Sequence, residues 1–136
     1  MDLIQSAQSK LSDSIEMESH QPESWYFLGL CLYEQGEFFQ DRRYYEQAIE
    51  KFSRSLSLSD KDPAIWYSLA LSHLALGEIL QQTSLFEKAI LYFSRMIEKG
   101  EKGFGQFWNN WGFALMKLGD LKWDSSCVEL ILNKRK

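Results

Sequence analysis

The sequence predicts an all-α protein, a solenoid of antiparallel helix pairs with about seven helices in a single domain. Three observations lead there. One spacing recurs: Pro22 and Trp25 return 41 residues later as Pro63 and Trp66. The same offset joins Gly36 to Gly77, Glu46 to Glu87, Ala48 to Ala89, Ile49 to Ile90, and Phe52-Ser53-Arg54 to Phe93-Ser94-Arg95. An offset held at so many positions marks an internal repeat, a finding that outranks any local reading. The apolar residues also keep a helical period, with Trp25, Leu28, Gly29 and Leu32 on one face and Ala48, Ile49, Phe52 and Leu56 on another. Finally, 136 residues contain two prolines against twenty aromatic residues (9 Phe, 6 Tyr, 5 Trp), which favours long helices packed through large rings.

The elements follow in order. Carrying the period backwards sets Ala7, Leu11 and Ile15 in the places of Ala48, Phe52 and Leu56, so 2–18 is expected to be the second helix of an incomplete leading repeat (1–21). The first full repeat, 22–62, holds helices at 23–40 and 43–58, with Asp41-Arg42-Arg43 supplying turn and N-cap chemistry. The second, 63–104, holds helices at 64–82 and 85–99. Pro63 opens the first of these in a turn where a missing N–H is harmless. Ser84 with Glu87 has the form of a capping box for the second. The third stretch, 105–136, is degenerate. Trp66 and Gly77 are matched at Trp108 and Gly119, now 42 residues on, and the extra residue fits the Gly100–Gly105 connector. Helices are expected there at 105–118 and 121–133, and Trp123, Val128, Ile131 and Leu132 still give the last one an apolar face. That stripe reads either as a genuine cap or as the cut end of a longer array, where it would favour dimerisation.

Trp25-x-x-Leu28-Gly29-x-x-Leu32, then Ala48-x-x-x-Phe52, then a proline, resembles the tetratricopeptide repeat signature. The second copy reads Trp66-x-x-Leu69-Ala70-x-x-His73 and Ala89-x-x-x-Phe93; the third begins Trp108-x-x-Trp111-Gly112-x-x-Leu115. The resemblance covers nearly the whole chain. It departs from the family in period, about 34 residues there, and in Leu32, His73 and Leu115 standing where that family carries a tyrosine. The additional residues amount to about two helical turns, which two helices can share without moving their packing faces. The resemblance implies a right-handed superhelix whose first helices line a concave groove. It also implies lining residues one, five and eight positions after each tryptophan: Tyr26, Leu30 and Tyr33; Tyr67, Leu71 and Leu74; Asn109, Phe113 and Met116. Relatives that clamp acidic tails use Lys, Arg and Asn at such positions, and only Asn109 and Asn110 correspond. An apolar, aromatic groove for an extended or helical peptide segment fits this set better.

Composition narrows the rest. A net charge of −4 and a pI near 5.2 argue against a nucleic-acid module. The most apolar stretch, 64–80, is broken by Ser68, Ser72, His73, Gly77 and Glu78, which reads as a core helix and not a membrane span. Cys31 and Cys127 show no pairing or metal-binding pattern, and the first residues lack the form of a signal peptide, so a cytoplasmic protein is expected. No phosphate loop, His-Glu-x-x-His or Cys-x-x-Cys occurs, so no catalytic residue, cofactor or metal is expected. His73 reads as a packed ring, Glu46 and Glu50 as a solvated face, and Arg42, Arg43, Arg54 and Arg95 as solvent-facing. The expected function is therefore that of a scaffold or adaptor binding a protein or peptide partner. Two rivals are a small secretion-type chaperone and an oligomerisation domain, the latter bringing a homodimer.

Overall fold

The computed structural model describes residues 3, 5, 6, 21–99 and 104–134, with the side chains of 124–134 outside the description. It is all-helical. Five helices run through the described residues beyond 20: α1 (Pro22–Phe39), α2 (Arg42–Leu58), α3 (Ala64–Leu80), α4 (Thr83–Glu98) and α5 (Gly105–Lys134). Of the helix expected at 2–18, residues 3, 5 and 6 are helical and the remainder lies outside the described residues.

Local chemistry sets the ends. Pro22 begins α1 at a position that needs no N–H. Asp41 caps α2, its carboxylate accepting from the Arg43 backbone N–H at 3.0 Å and pairing with the Arg43 guanidinium at 2.8 Å. This pairing holds the Asp41 carboxyl below the usual carboxylate range. At the head of α3, Asp62 Oδ1 accepts from the Ala64 N–H at 3.0 Å. The capping box expected at Ser84 does not form. α4 starts at Thr83 behind Gln82, which makes no side-chain cap, so Ser84 already lies inside the helix.

Both hairpins turn in the same way. Gln40 and Gln81, 41 residues apart, each adopt the left-handed conformation at φ 53°. Each closes its helix by donating its N–H to Gly36 O or Gly77 O. A left-handed residue with a Cβ is strained by roughly 1–2 kcal/mol. Each glutamine offsets part of that strain by donating Nε2 to the carbonyl of Glu37 or Glu78, 2.8 Å away in both.

The helices pack in chain order, α1 on α2, α2 on α3, α3 on α4 and α4 on α5, with lighter contact of α1 on α3 and α3 on α5. Two apolar clusters result. One is built on Trp25, Leu28, Leu32, Ala48 and Phe52 and reaches Ile65 and Leu69 of the next repeat. The other gathers Ala70, Leu74, Phe86, Ala89, Phe93 and Met96 with Phe107 and Ala114 of α5. Small residues let the paired helices close up, and the surfaces they meet are rings. A Cβ on Gly29 would stand 2.6 Å from the Phe52 ring, one on Gly36 2.9 Å from Tyr45, and one on Gly77 3.1 Å from Phe86.

The third repeat departs from expectation. Helices were expected at 105–118 and 121–133, but α5 runs unbroken through Gly119-Asp120. Gly36 and Gly77 also lie inside their helices, and reversal comes four residues later at Gln40 and Gln81. The corresponding residue is Trp123, which lacks the carboxamide that bonds back to the helix at Gln40 and Gln81. Trp108 likewise differs from its counterparts: Trp66 packs half-buried at the junction of the two clusters, whereas Trp108 stacks on Trp111 with half its surface exposed.

Candidate functional site

The first helices of the repeats bring two adjoining depressions to one side of the molecule. Tyr26, Leu30 and Tyr33 of α1 and Tyr67 and Leu71 of α3 line one of about 240 Å³, floored by Phe52 and edged by Glu34 and Ser68. A second, of about 480 Å³, shares Tyr33, Tyr67 and Leu71. It adds Leu74, Ala75, Glu37 and Glu78, with Gln106, Asn110 and Phe113 from α5. Neither is enclosed. Together they form a trough crossing three helices, a shape that suits side chains of a chain laid along it better than a small molecule buried on all sides.

Seven of the nine residues expected to line a groove therefore meet there: Tyr26, Leu30, Tyr33, Tyr67, Leu71, Leu74 and Phe113. Asn109 and Met116 do not; both are exposed and line neither depression. α5 docks on α4 through Phe107, Trp111, Ala114 and Leu118, and that rotation turns Gln106, Asn110 and Phe113 toward the trough.

The tyrosines are held from both sides. Tyr26 lies 5.8 Å from the Phe52 ring, and Ser68 of the next first helix donates to its hydroxyl at 3.4 Å. Its repeat counterpart Tyr67 lies 6.1 Å from Phe93, and Asn110 of the next first helix donates to its hydroxyl at 3.1 Å. Tyr33 meets Tyr45 edge-on at 5.7 Å, and Tyr45 donates to Glu37 Oε1 at 2.9 Å. Burial, with the Glu37 charge beside it, pushes the Tyr33 phenol up, so it remains a neutral donor.

Carboxylates edge this surface. Glu37 and Glu78 are repeat counterparts, and Glu34 stands one turn before Glu37. Burial raises the Glu78 carboxyl above its ordinary value, the Lys117 charge opposes that rise, and Glu37 adds to it. Lys117 itself lies over the Phe113 ring at 5.4 Å. Sequence reasoning missed this acidic edge, although Gly36-Glu37 and Gly77-Glu78 carry the repeat offset and so signalled it.

The other residues singled out in the sequence lie elsewhere. His73 is buried, its Nδ1 donating to Leu69 O at 2.8 Å and its ring 5.1 Å from Tyr92. Burial lowers its pKa, the Leu69 hydrogen bond opposes this, and Lys88 lowers it further, which keeps the ring neutral. Cys31 is half-buried, and burial together with Glu34 raises its thiol pKa. Arg54 is exposed yet not free in solvent, its guanidinium lying 4.9 Å over the Trp25 ring. Glu46 pairs with Arg42 at 3.6 Å and Glu50 with Lys51 at 3.5 Å. Among the described residues no group of three His, Cys, Asp or Glu could hold a metal ion. No described helix is long and apolar enough to cross a membrane. No family model matches the chain, and no curated protein matches it.

Proposed function

We propose that this protein is a non-catalytic interaction module of tetratricopeptide-like architecture, a right-handed solenoid whose trough holds a peptide segment of a partner. The observation that carries the reading is the repeated tethering of Tyr26 and Tyr67. Each ring rests on a buried phenylalanine of its own repeat, and its hydroxyl is bonded by the following one. Rigid aromatic platforms at successive repeats offer apolar contact area at low entropic cost, as hot-spot residues do. Packing of the helices in chain order, with repeat counterparts in matching contacts, supports the solenoid. The acidic edge at Glu34, Glu37 and Glu78 narrows the partner to a segment combining apolar anchors with Lys or Arg.

Panning a random peptide library against the full chain tests this. Enriched peptides are expected to carry two or more apolar or aromatic residues and at least one basic residue. A Tyr67→Ala/Leu71→Glu variant, first matched to wild type in helicity and melting, is expected to retain none of them. Equal retention by that variant would move the site off the trough. Enrichment of acidic peptides would refute the charge assignment.

A further inference from the structure

The three helices that wall the trough face it with residues at one common spacing. α1 brings Tyr26, Leu30, Tyr33 and Glu37, and α3 brings Tyr67, Leu71, Leu74 and Glu78. On α5 the first three places belong to Gln106, Asn110 and Phe113, and the fourth falls to Lys117. Steps of four, three and four residues keep to one face of a helix. The last place therefore reads carboxylate, carboxylate, ammonium from α1 to α5. The repeat alone would not put Lys117 there, since offsets of 42 and 41 equate it with Ala75 and Glu34. The docking of α5 on α4, which turns Phe113 toward the trough, carries Lys117 with it.

These charges are fixed in place but not cancelled. Lys117 is half-buried, and its Nζ lies 5.4 Å over the ring of Phe113, which lines the wider depression together with Glu78. Its charge acts on the Glu78 carboxyl against burial and against Glu37. None of the ion pairs among the described residues engages Glu34, Glu37, Glu78 or Lys117. Glu37 accepts from the Tyr45 hydroxyl, a bond that leaves its negative charge in place. Negative charge is thus in surplus at the α1 and α3 wall, and the α5 wall is positive. Between them the surface is apolar and aromatic.

We propose that Lys117 sets the direction in which a peptide lies in the trough. The partner is an apolar segment with a Lys or Arg at one flank and an Asp or Glu at the other. Its basic residue seats between Glu37 and Glu78, and its acidic residue lies over Lys117. Complementary charge at a rim selects orientation more than it adds affinity, and a cation over α5 would meet repulsion. This assignment rests on the peptide-binding reading of the trough.

Two synthetic peptides test it. Both carry the apolar core of a sequence panned on the full chain, with Lys at one flank and Glu at the other, in opposite orders. By fluorescence anisotropy, the wild type is expected to prefer one order by about fivefold or more, as two exposed charge pairs would give. Lys117→Glu, matched to wild type in helicity and melting, should bring the two orders to within about twofold of each other. Lys117→Met, which keeps the stem on Phe113 and removes the charge, should fall between. Equal binding of both orders by the wild type, or a preference that survives both variants, would overturn the direction and leave peptide binding standing. A wild type that retains no panned peptide would overturn the peptide-binding reading and the direction with it.

Discussion

The two complete hairpins and α5 carry the same motif in opposite circumstances. In the hairpins the strip of tryptophan, small residue, leucine or histidine, and glycine is roofed by a second helix, with phenylalanine or tyrosine rings lying on its glycines. In α5 that strip is surface. A sequence motif therefore specifies which face is ready to be covered, while the chain reversal decides whether the cover comes from the same molecule. The repeats differ at one position here, where Gln40 and Gln81 turn left-handed and Trp123 continues the helix.

Substituting the same slot in different repeats probes the contrast most strongly. Leu32→Ala removes a fully packed side chain and is expected to cost about 2–5 kcal/mol in denaturant unfolding. Leu115→Ala, measured in dilute solution, should stay within about 0.5 kcal/mol of wild type. Equal losses would mean that the face of α5 is already covered in solution.

Glycines come next, with opposite signs. Gly29→Ala drives a methyl group into the Phe52 ring and is expected to destabilise by about 1–3 kcal/mol. Gly112→Ala meets open space and should stabilise by about 0.5–1 kcal/mol through helix propensity alone.

The smallest and most local effect belongs to His73. Its pKa is lowered by burial, so near its ordinary value of 6.5 the unfolded chain binds more protons than the folded one, and stability rises with pH. Thermal melts should therefore show the full contribution above about pH 6.5 and a loss as the pH falls through that value toward the folded pKa. His73→Leu, which installs the residue found at positions 32 and 115, should flatten that dependence. An unchanged slope would assign the pH response to carboxyl groups instead.

The repeat made much of this legible. Helix faces and the sharing of long hairpins follow from subtracting 41, because packing period and sequence period coincide wherever a second helix is present; seven of the nine residues that the tetratricopeptide resemblance implied meet in the trough. The missed features are those where one atom decides. The break expected between 118 and 121 did not appear, and at the position where Gln40 and Gln81 turn left-handed α5 carries Trp123 and continues. Asn109 and Met116 left the trough because the docking of α5 follows Phe107 and Ala114, and no offset carries that rotation. The capping box at Ser84 failed because the start of α4 is set by the tight turn after Gln81.

Among the described helices, contacts link only elements adjacent in the chain or next but one. Packing among these helices closes no long loops, so their ordering can begin in either hairpin and spread, at the speed typical of local topologies. Unfolding inherits the same grain. Each hairpin loses only its neighbours when it opens, so amide hydrogen exchange should grade from slow in α2 and α3, packed on both sides, to fast in α5. A ligand lying across α1, α3 and α5 would fasten those zones together and make their melting more cooperative.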